Sequence, residues 1–260
     1  WFIDLFAVVI TLPVNLLWGP GAAYNAANLF NFWFAGAGAE RLGRRVSGSA
    51  AGGWLAGICF MATPQLLGQA YNGISETLAG GWVPLALAAL VDLLEGPTVK
   101  RGAAAGALQA VATLFNWYYG LFAGIFGIIL VARAWSQART GSGPALRRLV
   151  APIATGAIVF LVFVGPPFSL FAASMSAEDA LVTRDPEFVW KTLILHNMTD
   201  LLALVHPGRF YSPDLKQVFG EDLIVVVYVG YAFLLPAAIG LWSARVRGPG
   251  KVWATAAAVF

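Results

Sequence analysis

The stretch 102–132, GAAAGALQAVATLFNWYYGLFAGIFGIILVA, runs for 31 residues without a charged side chain. As one helix it would be about 46 Å long, whereas the hydrocarbon core of a bilayer is about 30 Å thick. Basic residues flank it on both sides: Lys100, Arg101 and Arg133. Because basic residues concentrate on the cytoplasmic side of membranes, both ends are predicted to lie inside. The stretch is therefore predicted to be a helical hairpin with arms near 102–116 and 119–135 and an outer turn at 116–120.

The composition of the whole chain agrees with a membrane environment. Hydrophobic residues make up 59% of the 260 residues and charged residues only 11%, and the mean hydropathy is +0.73. A soluble domain carries roughly 25% charged residues, so lipid is predicted to cover much of this surface. The net charge is only +3, and the basic residues form no cluster of the kind that binds nucleic acid. The single cysteine, Cys59, excludes a disulfide framework.

Further apolar segments between the charged residues are long enough to span a bilayer. Together with the two hairpin arms, they predict an all-α protein that crosses the membrane about eight times as one bundle. The other predicted spans lie near 5–18, 22–39, 50–71, 78–94, 149–171 and 223–242. The first of these is short and contains Pro13, so an interfacial helix is the alternative there. A ninth apolar piece begins at Val252, and the chain starts at Trp1. We therefore expect residues 1–260 to be one transmembrane domain that is a fragment, cut at both ends.

The distribution of charge gives these spans a consistent direction. Twelve of the 16 basic residues fall in loops that are predicted to lie inside. The one long polar segment, 172–222, contains eight of the 13 acidic residues and only four basic ones. Span parity places this segment outside as a long extracytoplasmic loop, together with the turns at 71–76 and 116–120.

Polar residues near membrane depth are the candidates for chemistry, because they are expensive to place there. Glu76 lies in a polar turn after Asn72, and its carboxylate can act as a base, bind a divalent cation or hold a sugar hydroxyl. Alternatively, Glu76 only caps the next helix in a solvated loop. The 116–120 turn adds three candidates for binding a sugar: Asn116, Tyr118 and Tyr119. Its aromatic rings can stack on a sugar, or simply anchor the helices at the headgroups.

The remaining candidates lie near the start of the chain and in the long polar segment. Residues 193–205 are predicted to form an amphipathic helix on the outer membrane surface, with His196 and Asp200 on its polar face. One His and one Asp do not make a zinc site, so no metal site is predicted, and a solvated face is the alternative. Asp4 belongs either to a larger site or to an interfacial cap. Two basic residues can meet a donor phosphate: Lys191 and Arg209.

Several short motifs, taken in order, resemble the GT-C glycosyltransferases and related multi-spanning bacterial proteins. They are Gly19-Pro20, Ala23-Tyr24-Asn25, Arg44-Arg45, Thr63-Pro64, Asn72 to Glu76, Gly81 to Leu85, Trp117 to Gly120, and Tyr228 to Tyr231. The resemblance covers most of 1–242 and implies an enzyme of the bacterial inner membrane that takes a sugar from a polyprenyl-phosphate donor on the outer side. It also implies a central acidic residue in the first outside loop, to which Asp4 is the nearest acid in this chain.

The predicted function is a GT-C-like transferase that moves a sugar from a lipid-phosphate donor to an extracytoplasmic acceptor. Glu76 and Asp4 are its candidate catalytic residues, and Asn72 is their polar partner. The chemistry needs a base for the acceptor hydroxyl, or a divalent cation that neutralises the leaving phosphate. The alternatives are a transporter or flippase for a lipid-linked or amphiphilic substrate, and a non-catalytic membrane protein. No charge lies at the centre of a predicted span, which argues against ion-coupled transport.

Overall fold

The computed structural model describes residues 5–72 and 75–176, together with the single residues 187, 190, 230 and 231. Within these residues all regular structure is helical, so the predicted all-α class is confirmed for this part of the chain. The elements are α1 (Leu5–Ser47), α2 (Ala50–Met61), α3 (Pro64–Asn72), α4 (Ser75–Leu78), a 3-10 turn (Ala79–Gly81), α5 (Trp82–Glu95), α6 (Val99–Phe115), α7 (Trp117–Arg139) and α8 (Leu146–Ser176).

Three helical segments in the described part are long and apolar enough to cross a membrane: Ala50–Tyr71, Trp117–Arg139 and Leu146–Met175. Large apolar side chains along them stay exposed, among them Trp54, Ile128 and Leu161. An apolar surface of this extent is unfavourable in water, because each side chain loses the gain that burial would bring. The apolar helices therefore fit a membrane protein.

Gly19 divides α1 into two helices. Its backbone has φ 83° and ψ 174°, a conformation that residues with a side chain rarely adopt. Pro20 follows and suits the first turn of the second helix, where its missing N–H costs nothing. The predicted break between 5–18 and 22–39 is confirmed here. The second helix runs on to Ser47, beyond the predicted end, and its last turns carry an ion pair between Arg44 and Glu40.

Asn116 alone separates α6 from α7. Its backbone is extended, with φ −155° and ψ 121°, and its side-chain oxygen accepts a 2.9 Å hydrogen bond from the Tyr118 N–H. The Gln109 amide donates a 2.8 Å hydrogen bond back to the Gly120 carbonyl, so α7 returns along α6. The predicted hairpin is therefore present in the structure, but its turn is one residue long, because the Asn116 side chain caps α7 directly.

The predicted span at 50–71 consists of two helices. The break lies at Ala62 and Thr63, where the Thr63 hydroxyl accepts a 3.3 Å hydrogen bond from the Leu66 N–H. Pro64 follows as the first residue of α3, a position that proline tolerates well. The next predicted span, 78–94, corresponds to the 3-10 turn and α5.

Glycines allow the closest helix contacts. A Cβ added at Gly106 would lie within 3.0 Å of the backbone of Gly156, and one added at Gly156 would lie 2.9 Å from the Gly102 carbonyl. Helices α6 and α8 thus meet backbone to backbone, a packing that small residues permit in membrane proteins. Helices α1 and α2 approach in the same way at Gly36 and Gly57.

The contacts also align the helices, so that two ends of the packed helices can be told apart. At one end α1 is beside α5 through Phe34 and Trp82, and at the other through Arg45 and Glu95. The end with Phe34 and Trp82 is called the aromatic end and comprises residues 30–34, 77–82, 115–119 and 168–171. The end with Arg45 and Glu95 is called the charged end and comprises residues 40–49, 92–101 and 133–148. All nine basic residues between positions 5 and 176 lie at the charged end, with three acidic residues.

Several predicted elements lie outside the described residues. They are the stretch 1–4 with Asp4, the amphipathic helix at 193–205, and the span at 223–242. Of the long segment 172–222, the structure describes 172–176, which continue α8, and the single residues 187 and 190.

Candidate functional site

The candidate site at the aromatic end is built around the turn between α6 and α7. Asn116 is buried and serves as the cap of α7, so its amide has a structural role. Tyr118 is 69% exposed and presents its ring on the surface. Tyr119 points the other way and packs in a core cluster with Ala79 and Phe115. Of the three residues predicted for this turn, Tyr118 is the one whose ring is free to meet a ligand.

The turn that carries Glu76 lies against this one. The Tyr119 hydroxyl donates a hydrogen bond to the carbonyl of Thr77, the residue that follows Glu76 in the chain. Asn72 ends α3 and Glu76 lies in the short helix α4. The placement of the Asn72 and Glu76 side chains is outside what the structure describes. The hydrogen bond brings Thr77, next to Glu76 in the chain, into contact with the start of α7. That both turns lie outside the membrane stays a prediction.

Aromatic rings form the floor beneath the two turns. The Trp82 ring lies 4.2 Å from the Phe34 ring and 5.2 Å from the Phe115 ring, measured between centroids. On the side of α8, the Trp117 ring contacts Phe168 at 5.7 Å. Such rings bury a large apolar area and pack the start of α5 against α1 and α6.

Three polar side-chain atoms near this end are buried without a hydrogen-bond partner among the described residues: Asn28 Oδ1, Gln69 Oε1 and Trp82 Nε1. Asn28 and Gln69 each lie one helical turn from a member of the core cluster that joins Phe32, Leu66 and Leu78. A buried polar atom left unpaired costs about 1–3 kcal/mol, so each of these three atoms lies in an unfavourable position in the structure as described. None of the three was predicted from the sequence, although a polar residue inside an apolar segment is a recognised signal of function.

Helix α1 extends well past the floor. Its residues Phe34 and Ala35 are level with Gly81, because a Cβ on Gly81 would touch their backbone atoms. From Ala35 back to Pro20 the helix continues for 15 residues, which is about 22 Å along its axis. The start of α5 and the turn at Asn116 are therefore set back relative to α1, which can act as one wall of a recess.

The charged end holds an ion-pair network that the sequence analysis did not foresee. Arg41 contacts Asp92 at 3.3 Å, and Arg45 contacts Asp92 at 2.5 Å and Glu95 at 2.9 Å. These groups are partly exposed, and pairs of this kind contribute little stability each, about 0–1 kcal/mol.

Several predicted site residues lie outside the described part of the chain: Asp4, Lys191, His196, Asp200 and Arg209. Within the part that is described, no group of three or more His, Cys, Asp or Glu side chains is placed to hold a metal ion. The described geometry therefore offers aromatic faces, hydrogen-bonding amides and the backbone of the Glu76 turn, all at one end.

Comparison of this chain with protein-family models, with curated proteins and with solved structures gives no match in any of the three. The resemblance to GT-C enzymes therefore rests on the short motifs alone, and the geometry of the aromatic end is the independent observation from which a function can be proposed.

Proposed function

We propose that this chain is a polytopic protein of the bacterial inner membrane that acts as a GT-C-like glycosyltransferase, with its active face at the aromatic end. The observation that carries the proposal is the hydrogen bond from the Tyr119 hydroxyl to the Thr77 carbonyl. It joins the turn that contains the candidate base, Glu76, to the turn that presents the exposed Tyr118 ring. A carboxylate can take the proton of the acceptor hydroxyl, and an exposed aromatic ring can stack on a sugar, so both groups suit transfer of a sugar.

The proposed reaction is a displacement at the anomeric carbon of the donor sugar. The oxygen of the acceptor hydroxyl forms the new bond, and the bond from the anomeric carbon to the phosphate oxygen of the polyprenyl phosphate breaks. The hydroxyl proton passes to the Glu76 carboxylate, and the polyprenyl phosphate leaves as an anion. Lys191 and Arg209 are the proposed partners of that phosphate, and Asn72 holds a sugar hydroxyl.

The proposed orientation places the aromatic end outside the cytoplasm. Its support is the excess of basic residues at the charged end, nine against three acidic ones, because loops rich in Lys and Arg stay in the cytoplasm. The exposed apolar side chains along α2, α7 and α8 suit contact with lipid tails. A lipid-linked donor would then reach the recess sideways from the bilayer, and the acceptor would reach it from water.

Cysteine labelling tests this orientation. In a Cys59→Ala background, we expect Tyr118→Cys to react in intact cells with a thiol reagent that cannot cross the membrane. Thr140→Cys, exposed at the charged end, is expected to react only after the cells are permeabilised. The reverse pattern would show that the orientation is wrong, and labelling of both positions in intact cells would show that the helices do not separate two compartments.

A transfer assay tests the activity. The intact protein in lipid nanodiscs is expected to move radiolabelled sugar from a polyprenyl-phosphate donor to an acceptor. Tyr119→Phe should slow the transfer about fivefold, because a typical hydrogen bond contributes about 1 kcal/mol. The matched control is Tyr71→Phe, whose exposed hydroxyl makes no bond to another described residue, and its rate should be unchanged. Movement of the intact labelled lipid between leaflets, without transfer, would instead favour the transporter or flippase.

A further inference from the structure

A cavity of about 440 Å³ opens at the charged end, far from the proposed active face. It lies between the end of α5, the last turns of α7 and the connection to α8. Its floor is apolar, from Leu94 and Leu130. Its charged and polar lining comprises two cations, one carboxylate and two neutral side chains: Arg45, Arg133, Glu95, Gln137 and Ser142. The volume is within the range of cavities that hold small ligands, about 300–1,000 Å³.

The two arginines of this cavity differ in their partners. Arg45 forms ion pairs with Asp92 and Glu95. Arg133 is half-buried, and no described residue forms a hydrogen bond, an ion pair or a ring contact with its guanidinium. A partly buried charge without a partner is unfavourable. The cavity therefore contains one positive charge that the described protein leaves uncompensated.

The part of the chain that follows Glu95 adds further positive charge near the cavity. No Asp or Glu occurs between Glu95 and Glu178, whereas Arg133, Arg139, Arg147 and Arg148 all lie in that interval. A guanidinium can donate two parallel hydrogen bonds to one phosphate. Gln137, one helical turn after Arg133, adds an amide donor on the same wall. Basic pockets between membrane helices on the cytoplasmic side are known to take the headgroups of anionic lipids.

We propose that this cavity binds the phosphate of an anionic phospholipid, held by Arg133 and Gln137, with the acyl chains along the apolar surface of α7. The proposal uses the membrane orientation proposed above but not the glycosyltransferase activity. Arg139, Arg147 and Arg148 contribute a general attraction for an anionic membrane surface, about 1 kcal/mol for each residue near it. Arg133 differs from them because it lines the cavity.

Lipid-dependent stability tests the proposal. The intact protein is titrated with phosphatidylglycerol in a phosphatidylcholine background, and the thermal unfolding midpoint is followed. We expect phosphatidylglycerol to raise the midpoint, and Arg133→Gln to weaken its apparent affinity about tenfold or more, because hydrogen bonds to charged groups contribute about 1.5–3 kcal/mol. Arg139→Gln removes the same charge outside the cavity and should weaken the affinity by no more than about fivefold, the equivalent of that general attraction.

Equal losses in Arg133→Gln and Arg139→Gln would overturn the proposal in favour of diffuse surface charge. If Arg133→Gln does not fold, Arg133→Lys is used in its place. The lysine keeps the positive charge but lacks the paired donors of the guanidinium, so a several-fold loss of apparent affinity for phosphatidylglycerol is expected. A second experiment titrates the protein with inorganic phosphate without added phosphatidylglycerol and follows the same unfolding midpoint. A full shift of the midpoint with phosphate alone would overturn the assignment to a lipid. Because binding is measured apart from sugar transfer, failure of one proposal leaves the other standing.

Discussion

Replacement of Glu76 by Gln in the intact protein is expected to slow sugar transfer by about 10²–10⁴-fold, because the variant loses its general base while nearly keeping the shape of the side chain. The loss should appear in kcat, since the proton is removed only as the new bond forms, and KM for the lipid-linked donor should change little. Radiolabelled donor in nanodiscs gives both constants. Glu76→Asp keeps a carboxylate at a shorter reach and should retain intermediate activity.

The matched control for Glu76→Gln is Glu95→Gln. Glu95 is a partly exposed carboxylate at the charged end, where it pairs with Arg45, and an exposed pair of this kind contributes at most about 1 kcal/mol. We expect its transfer rate to fall by no more than about fivefold, because Glu95 lies at the end opposite the proposed reaction and even the full value of about 1 kcal/mol corresponds to that factor. If Glu76→Gln transfers sugar normally and Asp4→Asn abolishes transfer, Glu76 is a loop residue and the catalytic carboxylate lies near the start of the chain.

Gly106→Ala is expected to destabilise the protein by about 1–3 kcal/mol, the usual cost of forcing extra volume into a packed contact. A Cβ at this position would lie within 3.0 Å of backbone atoms of Gly156. Backbone atoms cannot move aside as the end of a side chain can, so α6 and α8 have to separate along their contact. Reversible unfolding in detergent, followed by tryptophan fluorescence, measures the change in the free energy of unfolding.

Gly124→Ala serves as the control for Gly106→Ala within the same hairpin. The nearest described atom to an added Cβ there is the Gln109 amide nitrogen at 3.9 Å, an ordinary contact. Alanine is also the better helix former, by about 1 kcal/mol in exposed helices. The stability of Gly124→Ala should therefore be unchanged or slightly higher. Similar losses in both variants would mean that α6 and α8 do not pack through Gly106.

The hairpin could be predicted from the sequence because its evidence is local. The charge-free length of 102–132 was too great for one span, and the basic residues stood at both ends. The single-residue turn at Asn116 was not predicted, because it depends on where one amide oxygen lies relative to the Tyr118 N–H. A pattern of hydrophobicity has no information at that level of detail.

Contacts between distant parts of the chain could not be predicted from the sequence, for a different reason. Arg41 and Asp92 are 51 positions apart, and nothing in either local pattern identifies its partner. Asn28 and Gln69 each lie in an apolar segment, but their burial depends on how α1 and α3 pack. Span parity predicts that the turns at 72–76 and 116–120 lie on the outer side, and this stays a prediction; the structure shows that Tyr119 and Thr77 are in contact.

The hydrogen bond from the Gln109 amide to the Gly120 carbonyl has a consequence for how α6 can enter an apolar medium. Alone, α6 would carry that amide into hydrocarbon with nothing to satisfy it. Among the described residues, α6 is also not one of the three helical segments that are long and apolar enough to cross a membrane. Helix α7 is among them, and it supplies the carbonyl from its own first turn. Once the turn at Asn116 has closed, the polar atoms of the pair are satisfied at any depth. Helix α6 is therefore expected to enter the membrane only together with the more apolar α7, so the two helices insert as a single hairpin.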